Sequence, residues 1–118
     1  MSKILVVDDD IDILDGIEVY LKRKKLNVVS LSDCRKVTQT VQSERPDLIL
    51  LDIKLGICDG RQLCLQLKNR YRYTQPILLF SSSPELGDTV YEYQADDFIL
   101  KPFSIQEFYT TIQEHLWR

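Results

Sequence analysis

Short apolar runs alternate along the chain with longer stretches in which apolar positions recur every three or four residues. Lys3 to Val7, Val28 to Leu31, Asp47 to Leu51, Ile77 to Phe80 and Phe98 to Leu100 predict five strands, the second interrupted by Ser30. The spacing predicts helices over about Asp10 to Lys25, Asp33 to Glu44, Asp59 to Tyr71 and Ser104 to Leu116. Ile11, Leu14, Ile17 and Leu21 make the first apolar stripe, and Cys34, Val37 and Val41 the second. Leu63, Cys64, Leu67 and Tyr71 make the third, and Ile105, Phe108, Ile112 and Leu116 the last. Ser83-Pro84-Glu85 signals one more helix start, N-cap followed by Pro at the first helical position. Gly87 and a thin apolar stripe of Val90, Tyr91 and Tyr93 predict that this fourth helix is weak.

Strand and helix alternate throughout, so the pattern is (βα)5. Short connections between parallel strands require right-handed crossovers, and helices then cover both faces of the sheet. The first, third and fourth strands are wholly apolar and belong in the centre; the interrupted second and short fifth belong at the edges. The expected fold is therefore α/β, a doubly wound, flavodoxin-like parallel sheet of order 2-1-3-4-5.

Composition narrows the class. A length of 118 residues fits one domain, 1–118, and 44% apolar with 28% charged residues is globular. The apolar runs are far shorter than a membrane span needs, and the first stops at Asp8, so no signal peptide is read. Cys34, Cys58 and Cys64 are odd in number and lack zinc-type spacing; the expectation is buried thiols in a reducing, cytoplasmic setting. A net charge of −3 suits neither a membrane surface nor direct nucleic-acid binding. Lys22 to Lys25 read as cations at a helix C-terminus, Tyr71 and Tyr73 among arginines as a solvated helix end, and His115 as a surface residue.

In doubly wound sheets the functional crevice lies beyond the carboxyl ends of the strands. Asp8, Asp9 and Asp10 follow the first strand, Asp52 the third, Ser81 the fourth, and Lys101-Pro102 the fifth. No Gly-rich loop follows the first strand, and a lone His at the far end of the chain leaves no Ser–His–Asp triad. Three carboxylates gathered in one crevice cannot all stay ionised unless a cation neutralises them. An all-oxygen site open to water and phosphate suits Mg²⁺, or Mn²⁺. A carboxylate there can also act as a nucleophile and form an aspartyl phosphate. Twelve of the 18 acids are Asp; Asp10, Asp33, Asp59 and Asp88 stand near helix starts, where a carboxylate caps amides.

Ile4 to Asp9, Pro46 to Asp52, Asp59-Gly60, Pro76 to Ser81 and Ala95 to Phe103 together resemble the receiver domain of two-component response regulators. The resemblance spans essentially the whole chain. It implies that Asp52 accepts a phosphoryl group from the phosphohistidine of a sensor histidine kinase or phosphotransfer protein. It further implies that Asp8, Asp9, Asp52 and the Lys54 main-chain carbonyl bind Mg²⁺, and that Ser81 and Lys101 hold the phosphoryl oxygens. Ser81 and Phe98 match the family's switch residues. The resemblance thus expects a signal passed to an output protein or domain through the fourth helix, fifth strand and fifth helix, and not turnover as an enzyme.

Some positions depart from the family. Lys54-Leu55-Gly56-Ile57 stands where an apolar pair and Pro-Gly are usual, so the Lys54 side chain is a candidate for tuning phosphoryl lifetime. The stretch from Ser81 to Lys101 is shorter than usual, and Gln94 replaces a Gly; with Gly87, this predicts a short or mobile fourth helix. Two other readings make different predictions. A haloacid-dehalogenase-like phosphatase would use Asp8-x-Asp10, but Asp12 stands where Thr or Val is usual, the acidic pair precedes Lys101, and no chain remains for a cap. A receiver-like interaction module would take no phosphate, against the intact set of Asp8, Asp9, Asp52, Ser81 and Lys101.

Overall fold

The computed structural model describes residues 2–116. Its strands are β1 (Lys3–Val7), β2 (Asn27–Leu31), β3 (Leu48–Asp52), β4 (Lys54–Leu55), β5 (Cys58–Asp59), β6 (Ile77–Ser81) and β7 (Asp97–Leu100). Its α-helices are α1 (Ile11–Arg23), α2 (Val37–Glu44), α3 (Gly60–Asn69) and α4 (Ile105–Leu116). Five parallel strands form one sheet, β2-β1-β3-β6-β7. This is the strand order the sequence predicts, and the fold is flavodoxin-like α/β.

Side chains on a strand alternate between faces, and the core divides accordingly. Leu5, Val7, Ile49, Leu51, Ile77 and Leu79 pack with Val37, Val41, Cys64, Leu67 and Val90 on one side. Ile4, Val6, Leu48, Leu50, Leu78 and Phe80 pack with Leu14, Ile17, Leu21, Phe108 and Ile112 on the other. Every residue of β3 and β6 is buried, which is why both strands read as unbroken apolar runs. Phe80 and Phe108 are wholly enclosed, each contributing about 1.5–3 kcal/mol relative to exposure.

Local chemistry sets the ends of the elements. Asp10 accepts from the amides of Asp12 and Ile13 at the start of α1, and Asp59 accepts from the amide of Arg61 at the start of α3. Asp33 does the same for Arg35, but the turn it caps, Cys34–Lys36, is 3₁₀ and only then becomes α2. Asp88, in contrast, lies inside its segment rather than at a start. Helix α2 stops at Arg45 in the left-handed region (φ 46°), ahead of Pro46.

Four features depart from expectation. The fourth helix is not α-helical at all: Pro84–Tyr93 is a 3₁₀ segment in which Val90 alone is buried. Val90 and the partly buried Leu86 give an α-helix there little packing to offset Gly87. Second, the residues after Asp52 form an antiparallel hairpin, β4 against β5, turning at Gly56 (φ +63°) and Ile57. Third, Cys34 and Cys58 are joined in a disulfide, and only Cys64 is a free buried thiol. Their separation of 24 residues carries no pairing signal; the fold brings the two together. Fourth, His115 is not a surface residue: its side chain is largely covered and Nε2 lies 2.9 Å from Asp97 Oδ2. Tyr73 is likewise anchored rather than solvated, its hydroxyl donating to the Pro46 carbonyl at 2.8 Å.

Candidate functional site

Strand register sets the site. Asp52, the last residue of β3, is level with Phe80, one residue short of the end of β6. Ser81 is in turn level with Leu100, which puts Lys101 just past the end of β7. Asp8 and Asp9 follow β1, the neighbour of β3 on the other side. Four strand ends therefore deliver Asp8, Asp9, Asp52, Ser81 and Lys101 to one crevice, as the sequence expects. Oxygens of Asp8, Asp9 and Asp52 lie within 4.8 Å of one another.

Burial is uneven. Asp8 is 0%, Ser81 2% and Asp52 6% exposed, while Asp9 is open to solvent at the mouth. Lys101 Nζ reaches between the two buried carboxylates, 2.9 Å from Asp8 Oδ2 and 3.2 Å from Asp52 Oδ2. Backbone donors orient the same groups. The Asp10 amide donates to Asp8 Oδ1 at 3.0 Å, the Lys54 amide to Asp52 Oδ1 at 3.3 Å, and the Ser83 amide to Ser81 Oγ at 3.1 Å. The Lys101 amide donates to the Ser81 carbonyl at 2.9 Å, so the lysine and the serine are tied through the backbone.

Three carboxylates and one ammonium leave two negative charges when all are ionised. Removal from water and the neighbouring Asp8 charge raise the Asp52 carboxyl against the pull of Lys101, to about 6 on balance. Burial disfavours the Lys101 ammonium, but its hydrogen bond to Asp8 and the charges of Asp52 and Asp8 outweigh that and raise its pKa. A divalent cation coordinated by oxygen would match the surplus of two charges, and the all-carboxylate donor set fits a hard ion such as Mg²⁺. Gly60 helps seat the end of β3: its amide donates to the Ile53 carbonyl at 2.7 Å, and a Cβ there would collide with the Asp52 carbonyl.

Around this centre lie the remaining residues singled out from the sequence. Lys54 is exposed, and its Nζ bonds Ser83 Oγ at 2.9 Å, two residues beyond Ser81. Phe98 is half-buried, packed against the core on the side of the 3₁₀ segment. A Cβ on Gly87 would approach its ring to 3.0 Å. Sequence reasoning missed Arg61. Its guanidinium pairs with Asp59 at 2.9 Å, bonds Thr89 Oγ1 at 3.1 Å and lies 5.1 Å from the Tyr93 ring centroid. It thereby ties the start of α3 to the 3₁₀ segment; only the Asp59-Gly60-Arg61 run hinted at it.

Residues 4–113 match the family model described as the response regulator receiver domain. The chain belongs to the response regulator receiver family. This receiver is 36% identical over 119 residues to the alkaline phosphatase synthesis transcriptional regulatory protein PhoP of Bacillus subtilis, a match that covers 99% of the chain and 49% of the relative. The chain thus spans about half the length of that curated relative. Among solved structures, the BeF3-activated N-terminal receiver domain of Klebsiella pneumoniae RstA superposes with a TM-score of 0.91 at 32% identity, covering 99% of this chain and 100% of the other. The CheY-like receiver domain protein of Methanospirillum hungatei superposes with a TM-score of 0.90 at 26% identity, covering 98% and 94%. Receivers of this family are signalling proteins that work with histidine kinases or phosphotransfer proteins and with output domains. The acidic crevice of this one is consistent with phosphorylation. No helix among the described residues is long and apolar enough to cross a membrane.

Proposed function

We propose that this receiver, taken as one domain over 1–118, accepts a phosphoryl group on Asp52 from the phosphohistidine of a sensor histidine kinase or phosphotransfer protein. The carrying observation is the Lys101 ammonium set between Asp8 and Asp52 at the closed end of an otherwise acidic crevice. An Asp52 oxygen attacks phosphorus, the P–N bond to the donor imidazole breaks, and the imidazole leaves with the bonding pair. The Lys101 ammonium and the Ser81 hydroxyl bind phosphoryl oxygens, and the buried walls exclude bulk water. Asp8, Asp9, Asp52 and the Lys54 main-chain carbonyl would hold Mg²⁺ (or Mn²⁺), whose charge offsets that of the carboxylates and the incoming phosphoryl group.

The modified Asp52 adds charge and acceptor oxygens beside two donors that can follow them. Ser81 ends β6, Lys101 follows β7, and Phe98 lies within β7, so their movement biases the surface of Pro84–Tyr93, β7 and α4. That surface passes the signal to an output protein or domain. In this reading the domain is not a turnover enzyme, acts in the cytoplasm, and itself contacts neither nucleic acid nor membrane. The Lys54 side chain, bonded to Ser83, tunes how long the phosphoryl group survives.

Incubation with Mg²⁺ and acetyl phosphate, read by intact mass, tests the proposal. One phosphoryl addition per chain, absent from Asp52→Asn, supports it. Continuous release of phosphate from esters would point to a phosphatase, and no addition at any Mg²⁺ concentration to an interaction module.

A further inference from the structure

We propose that Cys34 and Cys58 are a reversible redox site that sets the rigidity of the hairpin after Asp52. The two lie in different elements, the 3₁₀ turn and β5, with Cα atoms 6.3 Å apart, within the ordinary span of a cystine. Cys34 opens the 3₁₀ turn ahead of α2 and is nearly buried. Cys58 is half-buried and lines an open cleft of about 550 Å³, together with Asp9, Lys54, Gly56 and Arg61. A small thiol or disulfide entering that cleft meets Cys58 first. Cys64, fully enclosed and with its thiol pushed up to about 12 by burial, stays out of the exchange.

The step requires a low-molecular-weight disulfide, such as oxidised glutathione, as the oxidant. The Cys58 thiolate attacks one of its sulfurs, breaking the S–S bond and expelling one thiolate. The Cys34 thiolate then attacks Cys58 Sγ in the mixed disulfide and expels the second. Two protein thiols and one small disulfide become one protein disulfide and two small thiols; the two protons pass to the departing thiolates. Reduction is the reverse, with a dithiol or excess monothiol as electron donor.

The cystine acts where the site is built. Cys58 pairs with Leu55 and Asp59 with Lys54 across the hairpin, and the Lys54 amide bonds Asp52. Next along the chain, Asp59 caps α3 and holds Arg61, which reaches Thr89 and the Tyr93 ring in the 3₁₀ segment. Opening the cystine releases a two-strand ribbon whose described ladder is four residues long, with Ile57 85% exposed at its turn. So short a ribbon has little stability of its own, and the cystine adds to the buried Leu55 and the Gly60–Ile53 backbone bond in holding it. The consequence for Mg²⁺ rests on the metal-site reading above: the reduced protein holds the Lys54 carbonyl less firmly and binds the ion more weakly.

The test uses the whole chain, reduced with dithiothreitol and then returned to oxidised glutathione. Peptide mass analysis is expected to find a Cys34–Cys58 link that forms and opens reversibly, with Cys64 protected from alkylation until unfolding. Amide hydrogen exchange over residues 54–60 is expected to speed up on reduction. The calorimetric Mg²⁺ dissociation constant should rise about tenfold on reduction, the low end of what losing a support of a metal ligand costs. Cys34→Ser and Cys58→Ser should each hold the reduced behaviour under both conditions. A link that fails to form, terminal glutathione adducts alone, or hydrogen exchange identical in the two states would overturn the proposal. If the link and the exchange change appear but Mg²⁺ binds in neither state, the metal-site reading falls while the redox site stands.

Discussion

Lys101 Nζ sits 3.2 Å from Asp52 Oδ2, although 49 residues separate the two in the chain. The same ammonium is 2.9 Å from Asp8, so removing it leaves two buried carboxylates facing each other without a counter-charge. Lys101→Met should therefore lower stability by about 1–3 kcal/mol in metal-free urea denaturation. Saturating Mg²⁺ should recover part of that loss. A loss of the same size with and without Mg²⁺ would show that the lysine and the cation do not share these carboxylates.

The Asp52 carboxyl has its own pH signature. Its pKa rises from the usual 3.8 to about 6 in the fold, chiefly through burial, so the folded protein binds this proton more tightly than the unfolded chain. The stability this contributes is present below pH 4 and is lost as the pH rises through about 6. Asp52→Asn cannot ionise. Without Mg²⁺ it should be more stable than the parent at pH 7.5, by about 1–2 kcal/mol, and the gap should close toward pH 4. Urea titrations at several pH values check the sign.

An ion bound only by the folded state would stabilise it by about 1.4 kcal/mol at ten times its dissociation constant. Thermal unfolding should shift upward with Mg²⁺ in the parent and shift little in Asp8→Asn. An upward shift preserved in Asp8→Asn would place the ion elsewhere.

Gly87 leaves room for the Phe98 ring, since a Cβ would come within 3.0 Å of it. Gly87→Ala should displace that ring and separate phosphorylation from its readout. Labelling at the acceptor should continue, while the chemical-shift change across Phe98 and Tyr91 on phosphorylation is altered. An unchanged response would remove Phe98 from the switch.

Much of this was legible because the sheet enforces it. A residue just past a buried parallel strand must lie in the crevice, so Asp8, Asp52, Ser81 and Lys101 could be placed together from five apolar runs. The caps at Asp10, Asp33 and Asp59 were readable because capping is local. The Cys34–Cys58 pairing and the contact of His115 with Asp97 were not, since each depends on how separate elements dock. The β4–β5 hairpin was hidden by its size: two residues per strand leave no alternation to read. The weakness of the fourth helix was visible in Gly87 and its thin stripe, but the 3₁₀ form was not.

The Lys54 side chain offers a kinetic test. Its bond to Ser83 at 2.9 Å puts a cation beside the serine-rich end of β6. Lys54→Ala should change the decay rate of the phosphorylated protein while leaving one phosphoryl group per chain. Equal decay rates would end its assigned role.

The most direct test asks whether Asp52 itself carries the phosphoryl group. Borohydride reduction of the acetyl-phosphate-treated protein, followed by peptide sequencing in the mass spectrometer, converts an aspartyl phosphate to homoserine and marks its position. Homoserine is expected at position 52 alone, and none in Mg²⁺-free controls. Homoserine at position 8 or 9, or at no aspartate, would contradict it.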